Sequence, residues 1–207
     1  MTNKNYFSKS RVEAFSDGIF AIIVTLLVLE IKVPEIHHHD SVTELTDALI
    51  GMLPKVLSWI VSFLIVCVIW VNHHTIFQQV KTVTHGVFWL NANLLLWCSF
   101  IPFPTALMGD YICNPVSLMT FGIILALMAF SFSMLRFNII YNSGILNEDV
   151  DQKSFRAATR NSIIFGPLMY LSGAAASLLH PYLSMGIYFF IPLYFIFFNS
   201  SKTKPAV

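Results

Sequence analysis

Long apolar runs separated by short polar breaks mark out most of the chain. They cover approximately residues 12–32, 54–79, 87–106, 116–141, 161–179 and 182–198. Each is close to the ~20 residues a helix needs to cross a bilayer's hydrocarbon core. In that core the backbone must bond within its own segment, so the runs predict helices. The expected fold is all-α: a polytopic membrane protein with six transmembrane helices, forming one unit over residues 1–207. The breaks carry matching punctuation. Pro34 stops the first span, Pro54 suits the first turn of the second, and Pro102 and Pro104 break or kink the end of the third. His180-Pro181 makes a turn before the sixth. Within the polar stretch 35–53, Ser41 followed by Glu44 resembles a capping box, which predicts a short surface helix over 41–53.

Composition supports this class and removes others. The chain is 56% hydrophobic and 11% charged, which excludes an ordinary soluble domain. A formal net charge of +1 leaves no footprint for nucleic acid. Cys67 and Cys98 lie inside apolar runs and read as small buried hydrophobes, and no disulfide framework is apparent. The first run ends in Glu30-Ile31-Lys32-Val33-Pro34 without a small-residue cleavage site, so it reads as a span and not as a cleaved signal. Six spans place both ends of the chain on one side. Ten of the Lys and Arg residues fall on that side (Lys4, Lys9, Arg11, Lys81, Arg136, Lys153, Arg156, Arg160, Lys202, Lys204), against Lys32 and Lys55 on the other. The positive-inside rule then makes both termini cytoplasmic, and the expected location is the plasma membrane. The opposite loop carries Glu35, Asp40, Glu44 and Asp47, whose field enriches cations at that mouth.

The first span is where polar chemistry meets the membrane. Arg11-Val12-Glu13-Ala14-Phe15-Ser16-Asp17-Gly18 runs directly into an apolar helix. An ionisable residue at that depth is costly and calls for a partner, although a carboxylate at a helix start is also an ordinary cap. At 100° per residue, Ile22, Thr25, Leu26 and Leu29 share one face, and Asp17 lies about 140° from Ile22. One face is therefore free to line an axis while another fastens the helix to its neighbours.

Arg-x-x-x-Phe-Ser-Asp at the head of a first transmembrane helix resembles the signature of the TMEM175 potassium-channel family, whose bacterial members are six-helix subunits of about this length. The resemblance implies a homotetramer in a lipid bilayer, conducting K⁺ along an axis lined by the first helices. Ile22, Leu26 and Leu29 would form the apolar constriction, Ile22 being the tightest ring. Thr25 has two readings: stabilising a partly hydrated ion, or bonding back to the preceding turn. No Thr-Val-Gly-Tyr-Gly filter is present, so selectivity would not come from a carbonyl cage.

The same resemblance implies that polar side chains of neighbouring helices hold the Phe-Ser-Asp motif. Trp70, His73 and His74, at the polar end of the second span, are the candidates; an interfacial aromatic belt is the other reading. Asn91 and Asn93 sit at the matching depth of the third span and suit interhelical hydrogen bonds. The expected fastening set is thus Arg11, Phe15, Ser16, Asp17, Trp70, His73, His74, Asn91 and Asn93. A second functional reading is a proton-coupled transporter relaying through Asp17 with His73 or His74, but no repeat or pair of broken helices supports it. An enzyme lacks a nucleophile motif and metal-ligand spacing. His37, His38 and His39 are adjacent and do not share a helix face, so neither a metal nor a cofactor is expected.

Overall fold

Helix ends fall where local chemistry stops or starts a helix. The computed structural model describes residues 7–142, 144–148 and 165–199. Apart from two isolated β-bridges, the regular structure among these residues is helical. Helix α1 spans Lys9–Val28. It stops short of the expected Lys32, because Pro34 clashes one turn back and disfavours helix at Val33. The chain tightens there instead: Leu29 N–H donates to Leu26 O at 3.1 Å and Ile31 N–H to Val28 O at 3.0 Å. Leu29 is consequently the C-cap of α1 and lies outside its helical body.

The surface helix α2 is Val42–Gly51, capped by Ser41, whose hydroxyl accepts from Glu44 N–H at 3.2 Å. The reciprocal half of the box goes elsewhere. Glu44 accepts from the amides of His37 at 2.6 Å and His38 at 3.0 Å, folding the histidine loop over the helix start. Helix α3 (Leu53–Gln78) carries Pro54 in its first turn. The third run divides into α4 (His85–Ser99) and α5 (Pro102–Asp110), broken just before Pro102. Helix α6 is Pro115–Tyr141, with Asn114 as its cap. Helix α7 is described over 165–176, and α8 is Pro181–Tyr194. Pro192 interrupts the α8 ladder, and the following residues, Phe195–Asn199, widen into a π-helix.

With α2 as a surface element and α4–α5 as one broken rod, six rods remain. Among the described residues three stretches are long and apolar enough to span a membrane: Val42–Gln78, His85–Asp110 and Pro115–Tyr141. Helix α1 is not among them because Lys9, Arg11, Glu13 and Asp17 occupy its first half. Most of the charged segment after α6, including Lys153, Arg156 and Arg160, lies outside the described residues, as do Lys4, Lys202, Lys204 and the start of the fifth run.

Two fastenings organise the bundle. At the end where α1 begins, Phe7 bridges Val83 and stacks on Phe88 with ring centroids 4.1 Å apart. Val80 bridges Leu146, and Lys81 reaches Glu148 at 3.1 Å. The start of α1, the α3–α4 turn and the exit of α6 are thereby tied together. The second fastening joins α6, α7 and α8. Tyr188 is buried with its hydroxyl donating to Leu118 O at 2.8 Å, and Ser184 donates to Gly173 O at 2.7 Å. The hydroxyl of Tyr188 lies where a side chain on Gly122 would be and its ring where one on Gly173 would be, so both positions must remain bare. The small residues around Gly173 allow this close approach of the helices. Gly173→Val is expected to cost about 1–3 kcal/mol through overpacking, seen as a lower melting temperature of the detergent-solubilised protein.

Candidate functional site

Helix α1 buries Val12, Ser16, Phe20, Ile23 and Leu27, a stripe at spacings of three and four that faces α3, α4 and α5. Around the other side, Ile22, Leu26 and Leu29 are 58%, 42% and 66% exposed. Gly18, Ala21 and Thr25 are exposed with them. A helix pinned by one stripe thus presents an apolar stripe on its outer side. Thr25 donates its hydroxyl hydrogen back to Ile22 O at 2.8 Å, with Ala21 O at 3.2 Å. That commits the hydrogen and leaves the oxygen lone pairs toward the exposed side.

Ser16 is fully buried and is the hinge of a polar chain across three helices. Its hydroxyl donates to Val12 O at 2.9 Å and accepts from Asn91 Nδ2 at 2.9 Å. Asn91 Oδ1 in turn lies 2.8 Å from His73 Nε2. A carbonyl oxygen only accepts, so Nε2 carries the hydrogen. Phe20 and Phe77 pack on the His73 ring, with centroids 5.4 Å and 4.3 Å away. Asp17 is exposed but not idle: Trp70 Nε1–H donates to its Oδ1 at 2.9 Å. The ring of His74 stacks on Trp70, centroids 5.9 Å apart, and its Nε2 is 2.9 Å from Gln78 Nε2. These bonds join α1 to both α3 and α4 in a region where unpaired polar groups are expensive.

The structure divides the expected fastening set. Ser16, Asp17, Trp70, His73 and Asn91 come together, with His74 supporting Trp70. Arg11 and Phe15 do not join them. Both are exposed on the same side as Ile22, and Arg11 makes no hydrogen bond or ion pair among the described residues. The spacing accounts for this, since residues 11, 15, 18, 22, 26 and 29 follow one another at threes and fours. Asn93 also points elsewhere, donating to Ser131 Oγ on α6 at 2.8 Å. Two residues apart on a helix means 200°, so Asn91 and Asn93 have opposite neighbours. Sequence reasoning missed Ser131 and the Ser62–Thr105 pair, hydrogen-bonded at 2.7 Å between α3 and α5. Their only signal is a hydroxyl within an apolar run.

Comparison with known proteins finds similar sequences and a similar fold. A family described as the endosomal/lysosomal potassium channel TMEM175 matches residues 11–102. A potassium channel of Chamaesiphon minutus is 38% identical over 188 residues, covering 89% of this chain and 92% of its own. One from a Chryseobacterium species is 37% identical, covering 90% and 91%. The crystal structure of a lysosomal potassium-selective channel TMEM175 homologue from Chamaesiphon minutus matches with a TM-score of 0.82 at 36% identity. It covers 94% of this chain and 98% of the other.

Proposed function

This chain belongs to the TMEM175 family of potassium channels, which are not enzymes, and from that premise we propose a potassium-favouring cation channel built from four copies around an axis lined by α1. Its 207 residues form one six-helix channel subunit with both termini cytoplasmic, following the Lys and Arg distribution. The observation that carries the proposal is the two-sidedness of α1: one stripe locked into the subunit, the other an exposed run of Ile22, Leu26 and Leu29. Four such stripes facing one another make an apolar constriction. An ion crossing it sheds water with nothing to replace it, so the ring closes by dewetting and opens when the helices part. Ile22 is the tightest ring. Leu29, at the helix C-cap, forms a looser outer layer.

Thr25 supplies the one side-chain oxygen beside this stripe. With its hydrogen held by the backbone, the oxygen faces the axis as an acceptor, suited to a partly hydrated cation. Ser16, Asp17, Trp70, His73 and Asn91 do not touch the ion; they hold α1 in register against α3 and α4.

The test is ion flux in proteoliposomes, with potassium and sodium gradients compared at fixed pH. Potassium flux without any proton gradient supports the channel. Flux that saturates and appears only with a proton gradient would replace it with a transporter acting through Asp17 and the histidines. In the same assay Thr25→Val is expected to lower the potassium-to-sodium preference about fivefold, corresponding to about 1 kcal/mol for one hydrogen-bonding group. An unchanged reversal potential would leave Thr25 with only its backbone bond.

A further inference from the structure

A cavity of about 340 Å³ opens between α3, α5 and α8, well away from the polar chain on α1. Small-molecule pockets begin at roughly this size, about 300–1,000 Å³. Its floor is Val61, Met108 and Tyr188, all buried, and Leu57, Met185 and Phe189 form its rim. Leu57 and Phe189 are each 44% exposed, so the mouth opens sideways from the bundle.

The only side-chain hydroxyls in the lining are already used. Ser58 donates to Pro54 O and Tyr188 to Leu118 O, each at 2.8 Å. Water or an ion would find no partner inside, and an apolar cavity of this kind stays dry or takes an apolar guest. Gly186 helps create the space, since a side chain built there meets nothing within 4 Å. The two methionines offer adaptable walls. One turn from Ser58, the Lys55–Asp110 ion pair at 2.6 Å marks the polar edge, so the cavity begins just inside the hydrocarbon layer. The charges of that edge neutralise each other and offer no excess charge to an ionised ligand.

We propose that this cavity holds one acyl chain of a zwitterionic phospholipid. A neighbouring helix, about 10 Å across, would cover the mouth without filling a recess floored by Tyr188 and Met108. A flexible chain fills it lengthwise, and the surrounding bilayer supplies such chains. The site is independent of the pore assignment.

The experiment uses the full chain reconstituted in phosphatidylcholine carrying a photoreactive diazirine along one acyl chain, with adducts mapped by peptide mass spectrometry. Labelling is expected to concentrate on Met108, Met185 and Phe189, above the exposed apolar controls Leu96 and Phe130. Gly186→Leu should bring labelling of Met108 and Met185 down to the level of those controls, while the elution profile and melting temperature stay the same. Should that variant fail to fold, Val61→Phe fills the cavity from the opposite wall and must give the same loss. Uniform labelling of cavity and control residues would overturn the proposal, as would labelling that neither substitution reduces. A Leu57→Cys, Met185→Cys pair forming disulfides between chains would also overturn it, by assigning the mouth to a second copy.

Discussion

Ile22→Asn is expected to raise resting potassium flux about tenfold, the equivalent of lowering a permeation barrier by about 1.4 kcal/mol. The barrier at an apolar ring is a cost of desolvation, because the walls return none of the hydrogen bonds an ion gives up. An asparagine amide at the same position offers a carbonyl oxygen to the ion and keeps water in the gap. In the proposed tetramer four amides would face the axis at once. The substitution lies on the exposed stripe of α1, away from Val12, Ser16, Phe20, Ile23 and Leu27. Folding and assembly should therefore survive. Flux in proteoliposomes and the oligomer mass are read together: raised flux at unchanged mass supports a constriction at Ile22. Unchanged flux at unchanged mass would move it to another layer.

Asn91→Leu should destabilise the subunit by about 2 kcal/mol, within the 1–3 kcal/mol range for an orphaned buried partner. Interhelical bonds in membranes average only about 0.6 kcal/mol, with a maximum near 1.7, so the lost bond alone does not account for that figure. The difference lies in what is left behind. Ser16 retains Val12 O as the acceptor for its hydrogen, so it loses only an incoming bond. His73 Nε2–H loses its carbonyl partner beneath Phe20 and Phe77. Thermal unfolding of the solubilised protein measures the loss. A second substitution sharpens it: His73→Leu in the Asn91→Leu background should recover part of the stability, since removing both partners leaves no orphan. Asp17→Ala tests the other arm by freeing the Trp70 indole, and should impair folding or assembly. If it assembled normally and altered only ion selectivity, Asp17 would belong with the pore and not with the fastening.

What can be read in the sequence is what neighbouring residues decide among themselves. Ser41 caps a helix because Glu44 N–H is three residues away, Pro54 opens one and Pro102 breaks one. The two faces of α1 follow from its period. Other features depend on geometry that a one-dimensional pattern blurs. Asn91 and Asn93 look equivalent by depth, yet 200° of rotation sends one to Ser16 and the other to Ser131. Arg11 and Phe15 share a motif with Ser16 and Asp17 but not their face. The small-residue run around Gly173 shows that something packs closely there, but only the fold supplies Tyr188 from α8 as the occupant. The cavity beside α8 is further from view, since an empty volume has no residues of its own.

The Trp70–Asp17 and Asn91–Ser16 bonds have a consequence for the timing of synthesis. Their partners are 53 and 75 residues apart in the chain. At about 5–20 residues per second, Asp17 is made roughly 3–11 s before Trp70, and Ser16 roughly 4–15 s before Asn91. For that interval the Asp17 carboxylate has no indole to donate to it, and the Ser16 hydroxyl has only the Val12 carbonyl of its own helix. The first helix must stay at the water-facing edge or beside the insertion machinery until α3 and α4 arrive. Helices α1, α3 and α4 therefore settle as a unit, before the chain that will seat Tyr188 has left the ribosome.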